Sequence, residues 1–249
     1  MTAFTFSNSP YPIRDDLIAA YRDFWHQLAN AGTWWSGEER IAIAREARQS
    51  TQCAFCAERK NALSPYNMPG EHTAAIDSPL SGRAIDAVHR VVTDQTRITN
   101  DYMQQNAASG LSEGHYVELV GVAVCAFGID EFCCALGLPL EPLPAPVAGE
   151  PTKYRPSGLE GETAMVSMID AGQRGAAESD LWPEGHDANV VRALSQVPNS
   201  VREWVSLCDV QYLPGAKIGD PSSDTEHVLN RMQMEIVAGR VSSHNECFY

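Results

Sequence analysis

The stretch that decides the fold is residues 36–55, which read SGEERIAIAREARQSTQCAF. Residues 230–249 read NRMQMEIVAGRVSSHNECFY and align with this stretch at a constant offset. Each copy opens with a polar residue followed three positions later by Glu or Gln, which is the spacing of a capping box at a helix start. Apolar positions match along both copies, and Cys53 aligns with Cys247. The repeat predicts two related helices, each leading to a cysteine.

Hydrophobic periodicity predicts further helices outside the repeat. Apolar residues recur at helical spacing in four other stretches, residues 13–30, 81–93, 94–106 and 113–136. Two shorter helices, broken at Pro198, are predicted over residues 190–197 and 200–212. The sequence therefore predicts an all-α fold.

A long irregular connection divides the predicted helices. Residues 138–187 contain seven prolines and many Gly, Ser and Glu residues, with little periodicity. We predict a helical unit over residues 1–137, an irregular linker over 138–187, and a second helical unit over 188–249.

The composition argues against several classes of partner. The 249-residue chain carries a formal net charge of -14, which would repel nucleic-acid phosphates and anionic membrane surfaces. It has no apolar run of about 18 residues, the length needed to span a bilayer, and its first residues do not resemble a secretory signal. We therefore expect a soluble, cytoplasmic protein that acts on a small molecule, without a nucleic-acid or membrane partner.

The seven cysteines do not suggest a disulfide framework, because their number is odd and no secretion signal precedes them. We interpret four of them, which lie in apolar stretches, as small buried hydrophobic residues. These four are Cys125, Cys133, Cys134 and Cys208.

Cys53 and Cys56 form a C-x-x-C pair where a helix is predicted to restart. The partial positive charge of a helix N-terminus lowers the pKa of the first thiol and favours the thiolate. Cys53 would then attack a peroxide or disulfide, and Cys56 would resolve the intermediate. Glu46 and His89 are the candidates to move protons. The alternatives are a paired surface carboxylate for Glu46 and a hydrogen-bonded core histidine for His89.

The same thiol pair permits a second interpretation, a metal site. Cys53, Cys56, His72 and His89 could complete a tetrahedral Cys2His2 set. Their spacing matches no standard zinc module. The favoured interpretation, thiol chemistry, requires no metal and no cofactor.

The second copy of the repeat resembles the signature of the alkylhydroperoxidase (AhpD-like) superfamily. In that signature Glu is followed by eleven residues, Cys-x-x-Cys, three further residues and His. Glu235 stands at the position of the family's proton-relay glutamate, and Cys247 at that of the first thiol. In the first copy both thiols are present, whereas Ile41 and Lys60 occupy the glutamate and histidine positions.

The resemblance implies an AhpD-like, all-helical fold that is usually a homo-oligomer, and thiol peroxidase chemistry. The expected function is thiol-dependent reduction of a hydroperoxide or disulfide, with an unidentified thiol reductant as partner. Carboxymuconolactone decarboxylases share the helical scaffold without needing the thiol pair. A non-redox enzyme of that kind, or a binding protein, is therefore the other alternative.

The sequence ends at Tyr249, one position before the counterpart of Cys56. A second cysteine or a selenocysteine there would complete the second motif. We therefore expect either a natural end at Tyr249 or truncation at a selenocysteine codon that follows it.

Overall fold

The computed structural model describes residues 3–63, 68–161, 164–183, 185, 187–220, 222–223, 225, 228–245 and 247. In this part of the chain the regular structure is helical apart from one short antiparallel strand pair, which confirms the predicted fold class. The helices are α1 (Asp15–Ala29), α2 (Gly37–Ser50), α3 (Ala54–Asn61), α4 (Gly82–Thr93), α5 (Asn100–Ala108), α6 (Glu113–Ala135), α7 (Asn189–Arg192), α8 (Pro198–Gln211), α9 (Gly215–Ile218) and α10 (Arg231–His244). The strands are β1 (Leu159–Glu160) and β2 (Met168–Ile169).

The core forms where α2, α4 and α6 pack against one another, with α1 and α8 closing its sides. Helix α6 buries residues around much of its circumference, as its apolar sequence predicts. A Cβ atom at Gly121 would lie 2.8 Å from the Ser200 side chain, so glycine allows α6 and α8 to approach closely. These contacts fix the helices that carry the candidate site.

A buried ion triad ties three of these helices together. Arg40 of α2 donates to Glu118 of α6 at 2.7 Å and to Glu203 of α8 at 2.7 Å. All three side chains are buried. Removing one member would leave a charge in the core without its partner.

The first copy of the repeat has the predicted local structure. The capping box between Ser36 and Glu39 is present and sets the start of α2. Helix α2 ends at Ser50, and α3 begins at Ala54 with Cys53 as its N-cap residue. The predicted restart of the helix is therefore confirmed.

The second copy has the same start signal in a different environment. Asn230 and Gln233 form a capping box at the start of α10. No described residue of α10 is buried, whereas α2 lies in the core. Helix α8 does pack on α1 and α6, as expected if both predicted units share one core. The unit boundaries themselves remain a prediction.

Two helix predictions were wrong in detail. The stretch 94–106 is divided into a 3-10 turn at Gln95–Arg97 and helix α5, because the Thr99 side chain caps a new helix start. Pro198 begins α8 instead of breaking a helix. Proline is tolerated in a first turn, where its missing N–H would have no intrahelical acceptor.

The proline-rich stretch after α6 is largely irregular, as predicted. Its backbone bonds to the end of α1 and to the connection that follows it, with Val147 N donating to Ala29 O and Lys153 N donating to Thr33 O, both at 2.8 Å. Within the described part of the chain, no helix is both long and apolar enough to traverse a lipid bilayer.

The interpretation of four cysteines as buried was partly wrong. Cys125 and Cys133 are buried, whereas Cys134 is exposed and Cys208 is half-buried. Cys134 follows Cys133 on α6, and one residue along a helix turns the side chain by about 100°. The apolar run therefore does not bury every position.

Candidate metal centre

Four potential metal ligands converge from three segments beside the core. Cys53 and Cys56 lie at the N-terminus of α3, His72 lies in the connection before α4, and His89 lies on the buried side of α4. One ligand atom from each residue falls within 4.8 Å of all the others. The long gaps between these residues in sequence are thus closed by the packing of α4 against α2 and α3.

The distances between the ligand atoms fit a tetrahedral centre. His72 Nδ1 lies 3.7 Å from Cys53 Sγ and 3.5 Å from Cys56 Sγ. His89 Nδ1 lies 3.2 Å from Cys56 Sγ. Zinc bonds of about 2.3 Å to sulfur and 2.0–2.1 Å to nitrogen place S and N ligands roughly 3.5 Å apart in a tetrahedron. These three pairs therefore lie close to the spacing that such an ion requires, and the other pairs of ligand atoms lie within 4.8 Å.

Each histidine is oriented by a carboxylate on its far side. His72 Nε2 lies 2.9 Å from Asp86, and His89 Nε2 lies 3.3 Å from Glu46. When Nε2–H donates to the carboxylate, the Nδ1 lone pair faces the sulfurs. Metal-binding histidines show this arrangement in proteins, because the carboxylate fixes the tautomer and strengthens the ligand.

The two carboxylates are themselves held in place. Asp86 accepts hydrogen bonds from Arg90 Nε at 2.8 Å and from the Tyr102 hydroxyl at 2.9 Å. Glu46 is fully buried and accepts the backbone N–H of Ala75 at 3.0 Å. The alternative of a surface carboxylate at Glu46 is therefore wrong.

Arg59 supplies a buried positive charge next to the cluster. Its side chain is 1% exposed, and its Nη1 donates to Asp86 at 2.8 Å. Its Nε lies 3.2 Å from an oxygen of Asp94, and its Nη2 lies 4.0 Å from Cys56 Sγ. Arg59 thus balances negative charge on both the carboxylate and the thiol.

Both thiols are shifted towards the thiolate. Burial opposes ionisation of Cys56, but its contacts with His72 and His89 outweigh burial and lower its pKa to about 5. Burial also opposes ionisation of Cys53. The backbone N–H groups of Cys56 and Thr73 and the His72 ring outweigh it, so the pKa of Cys53 is lowered.

Both histidines are shifted towards the imidazolium. Burial disfavours the charged ring of His72, but Asp86 and the two sulfurs outweigh burial and raise its pKa to about 9. The pKa of His89 also rises to about 9, because Cys56 and Glu46 outweigh burial. Without a metal, the cluster at pH 7 is therefore a set of opposite charges in close contact.

A surface cleft reaches one side of the cluster. It has a volume of about 470 Å³ and is lined by Phe55, Met68, His72, Ile85, Asp86 and Arg90, among others. Small molecules in this cleft would approach the cluster beside His72.

The structure brings together four of the six site residues predicted from sequence. Cys53, Cys56, Glu46 and His89 lie in contact, and His72 joins them. Glu235 and Cys247 are placed elsewhere: Glu235 on α10 pairs with Arg231 at 2.5 Å, and Cys247 is exposed with its sulfur 4.0 Å from a backbone carbonyl.

Sequence reasoning missed residues that orient the site, including Asp86 and Tyr102. One signal was present, because Asp86 lies three residues before His89 on α4 and so faces the same side of the helix. Arg48, Arg59 and Lys60 flank the thiols in sequence and would add positive charge nearby, and Arg59 does lie beside Cys56. Arg48 instead pairs with Asp130 at 2.7 Å.

Comparison with protein-family models, curated proteins and solved structures found no match. The resemblance to the AhpD-like superfamily therefore remains a prediction from sequence.

Proposed function

We propose that this protein binds one zinc ion through Cys53, Cys56, His72 and His89. The observation that carries the proposal is the convergence of four ligand atoms within 4.8 Å of one another. Two thiolates and two imidazoles in a tetrahedral arrangement favour zinc over magnesium or calcium, which take oxygen ligands. The carboxylates behind both histidines support the proposal, because metal-binding histidines usually donate their other ring N–H to such a group.

The ion would have a structural role. Four protein ligands close a zinc site, since catalytic sites keep a position for water or substrate. Zinc would join the start of α3, the connection before α4, and α4 itself. The four negative charges of two thiolates and two carboxylates would be balanced by zinc, Arg59 and Arg90, which pairs with Asp86 at 2.8 Å.

A second candidate function is thiol-dependent reduction of a hydroperoxide or disulfide. One observation favours it: Cys56 Sγ, His89 and Glu46 form a continuous chain of contacts at 3.2 and 3.3 Å. Such a chain would carry a proton to or from a reacting sulfur. In this function Cys53 attacks and Cys56 resolves, and no metal is bound.

Zinc titration of the metal-free protein separates the two candidates. We expect binding of one zinc per chain, measured by calorimetry and by metal analysis of protein purified without chelator. Serine at the exposed Cys134 is the matched control and should leave the stoichiometry unchanged. Absence of bound zinc, together with dithiol-driven turnover of a hydroperoxide, would overturn the zinc proposal in favour of the thiol reductase.

Zinc binding is also expected to release protons from the histidines. The pKa values of His72 and His89 lie at about 9, so below that pH each ring carries a proton that zinc must displace. The affinity should therefore fall as pH falls from about 9 through 7, and more steeply near 5, where Cys56 also takes up a proton.

Calorimetry in buffers of different ionisation enthalpy measures this proton release, and NMR titration of the metal-free protein gives the histidine midpoints. Histidines that titrate at their ordinary pKa of about 6.5 would release almost no proton at pH 8. That result would contradict the contacts described for both rings.

A further inference from the structure

The connection before α4 is attached to the core through the thiol cluster. None of residues 69–79, all of which are described, is buried. His72 holds this segment to both sulfurs and to Asp86, and the Ala75 N–H donates to Glu46 at 3.0 Å. The position of the segment therefore depends on ligand contacts and has little support from buried apolar surface.

The surface cleft reaches the His72 side of this attachment point, while Cys53 and Cys56 do not line it and are 3% and 2% exposed. Its walls include the apolar side chains of Phe55, Met68 and Ile85, with His72 at the edge. Cys53 Sγ lies 3.7 Å from the His72 ring. Cys56 Sγ is enclosed by His72, His89 and Arg59. Cys53 is the N-cap residue of α3, where the helix N-terminus favours its thiolate, so it is the sulfur expected to react first when residues 69–79 open towards the cleft.

We propose that a small organic hydroperoxide entering this cleft oxidises the zinc-bound Cys53–Cys56 pair to a disulfide, expels the zinc ion and releases residues 69–79 from the core. This inference rests on the proposed zinc site and adds a redox control to it. The apolar walls of the cleft suit an alkyl hydroperoxide better than hydrogen peroxide.

The reaction consumes the two thiolates, one hydroperoxide and two protons from water, and needs no other reactant. The Cys53 thiolate attacks the distal peroxide oxygen, so an S–O bond forms, the O–O bond breaks, and the alkoxide leaves as an alcohol after taking a proton. The Cys56 thiolate then attacks this sulfur, so the S–S bond forms, the S–O bond breaks, and hydroxide leaves as water with a second proton. The two sulfurs lose two electrons, and the peroxide gains them.

Oxidation removes both sulfur ligands from the metal at once. A disulfide is a far poorer zinc ligand than two thiolates, because the thiolate is the form of cysteine that binds metal. The remaining ligands are His72 and His89. Loss of zinc and of both thiolates leaves the segment with fewer contacts, among them those to Asp86, Glu46 and the Phe55 ring, so we expect it to open more often.

The test uses the zinc-loaded full chain with serine at the two exposed cysteines, Cys134 and Cys247. One equivalent of tert-butyl hydroperoxide should release one zinc per chain to a chromogenic chelator. The intact mass should fall by two hydrogens, peptide mapping should find a Cys53–Cys56 disulfide, and limited proteolysis should gain a cleavage within residues 69–79. Adding dithiol and zinc to the oxidised protein should restore bound zinc, the original mass, both free thiols and resistance to cleavage within residues 69–79.

Three outcomes would overturn the inference. Zinc that stays bound after peroxide treatment would overturn it while leaving the proposed zinc site standing. Zinc release with sulfinic acid and no disulfide would do the same. A chain that binds no zinc before oxidation would remove the inference and the proposed function together.

Discussion

Serine in place of Cys56 is expected to lower zinc affinity more than about 100-fold. Replacing a residue that merely orients a metal ligand already costs about 10–100-fold, and Cys56 is itself a proposed ligand. Its sulfur contacts both histidines, at 3.5 and 3.2 Å, so its loss disturbs two further ligands. A hydroxyl is also a poor zinc ligand, since it stays protonated where the thiol ionises.

The effect on stability follows from the lost binding. A ligand present at about 1,000 times its dissociation constant stabilises the folded state by about 4 kcal/mol. Chelator should therefore lower the melting temperature of the wild-type protein and leave that of Cys56→Ser unchanged. Calorimetric titration and thermal unfolding with and without chelator measure both quantities. Cys134→Ser, which changes an exposed cysteine in the same way, should behave as wild type.

A folding defect is separated from a binding defect by a second variant. His72 lies in the connection before α4 and outside the packed helices, so His72→Ala should retain the helical circular dichroism and still lose zinc affinity. Wild-type zinc affinity in both Cys56→Ser and His72→Ala would eliminate the proposed centre.

Local features of this fold could be predicted because they depend on neighbouring residues. The capping box at Ser36 and the helix restart at Cys53 follow from residues a few positions apart. The apolar circumference of α6 follows from its own composition. The same reasoning found Cys53 and Cys56, whose three-residue spacing is itself a local signal.

The sequence names His72 and His89 as possible partners of the thiols, but their convergence and the rest of the site depend on tertiary packing, which a single sequence does not specify. His72 lies in a segment without periodicity, and its contact with the sulfurs exists because α4 packs beside α3. Asp86 and Arg59 have ordinary helical positions, and only the fold turns them towards the cluster. The prediction from the repeat, two related helices, also failed to give their tertiary environment. Matching N-caps predicted matching helices, yet α2 is enclosed by neighbours and α10 is not.

The other large effect is expected at the buried ion triad. Arg40→Met should lower the free energy of unfolding by about 3–5 kcal/mol, because it leaves two carboxylates in the core without their cation. The side chains of Arg40, Glu118 and Glu203 are 3%, 0% and 7% exposed, so water replaces little of the lost contacts. Urea denaturation at pH 7 measures the change.

The loss should shrink at low pH, and the sign can be worked out from Glu203. Burial raises the pKa of this carboxyl even with Arg40 beside it. A group whose pKa is higher in the folded state contributes stability below its unfolded pKa, and that contribution is lost as pH rises through the folded value. Without Arg40 the folded pKa rises further. The free energy of unfolding of Arg40→Met should therefore be closest to that of wild type near pH 4, and the difference should grow as pH rises to 7.

Two variants test whether the buried charge is the cause. Arg202→Met removes an arginine of α8 whose partner, Asp180, is 58% exposed, and should cost no more than about 1 kcal/mol. Adding Glu203→Gln to Arg40→Met removes one of the stranded charges and should restore part of the loss at pH 7. If Arg40→Met cost as little as Arg202→Met, or if Glu203→Gln deepened the loss, the destabilisation would not come from unpaired carboxylates. The triad would then hold α2, α6 and α8 by packing alone.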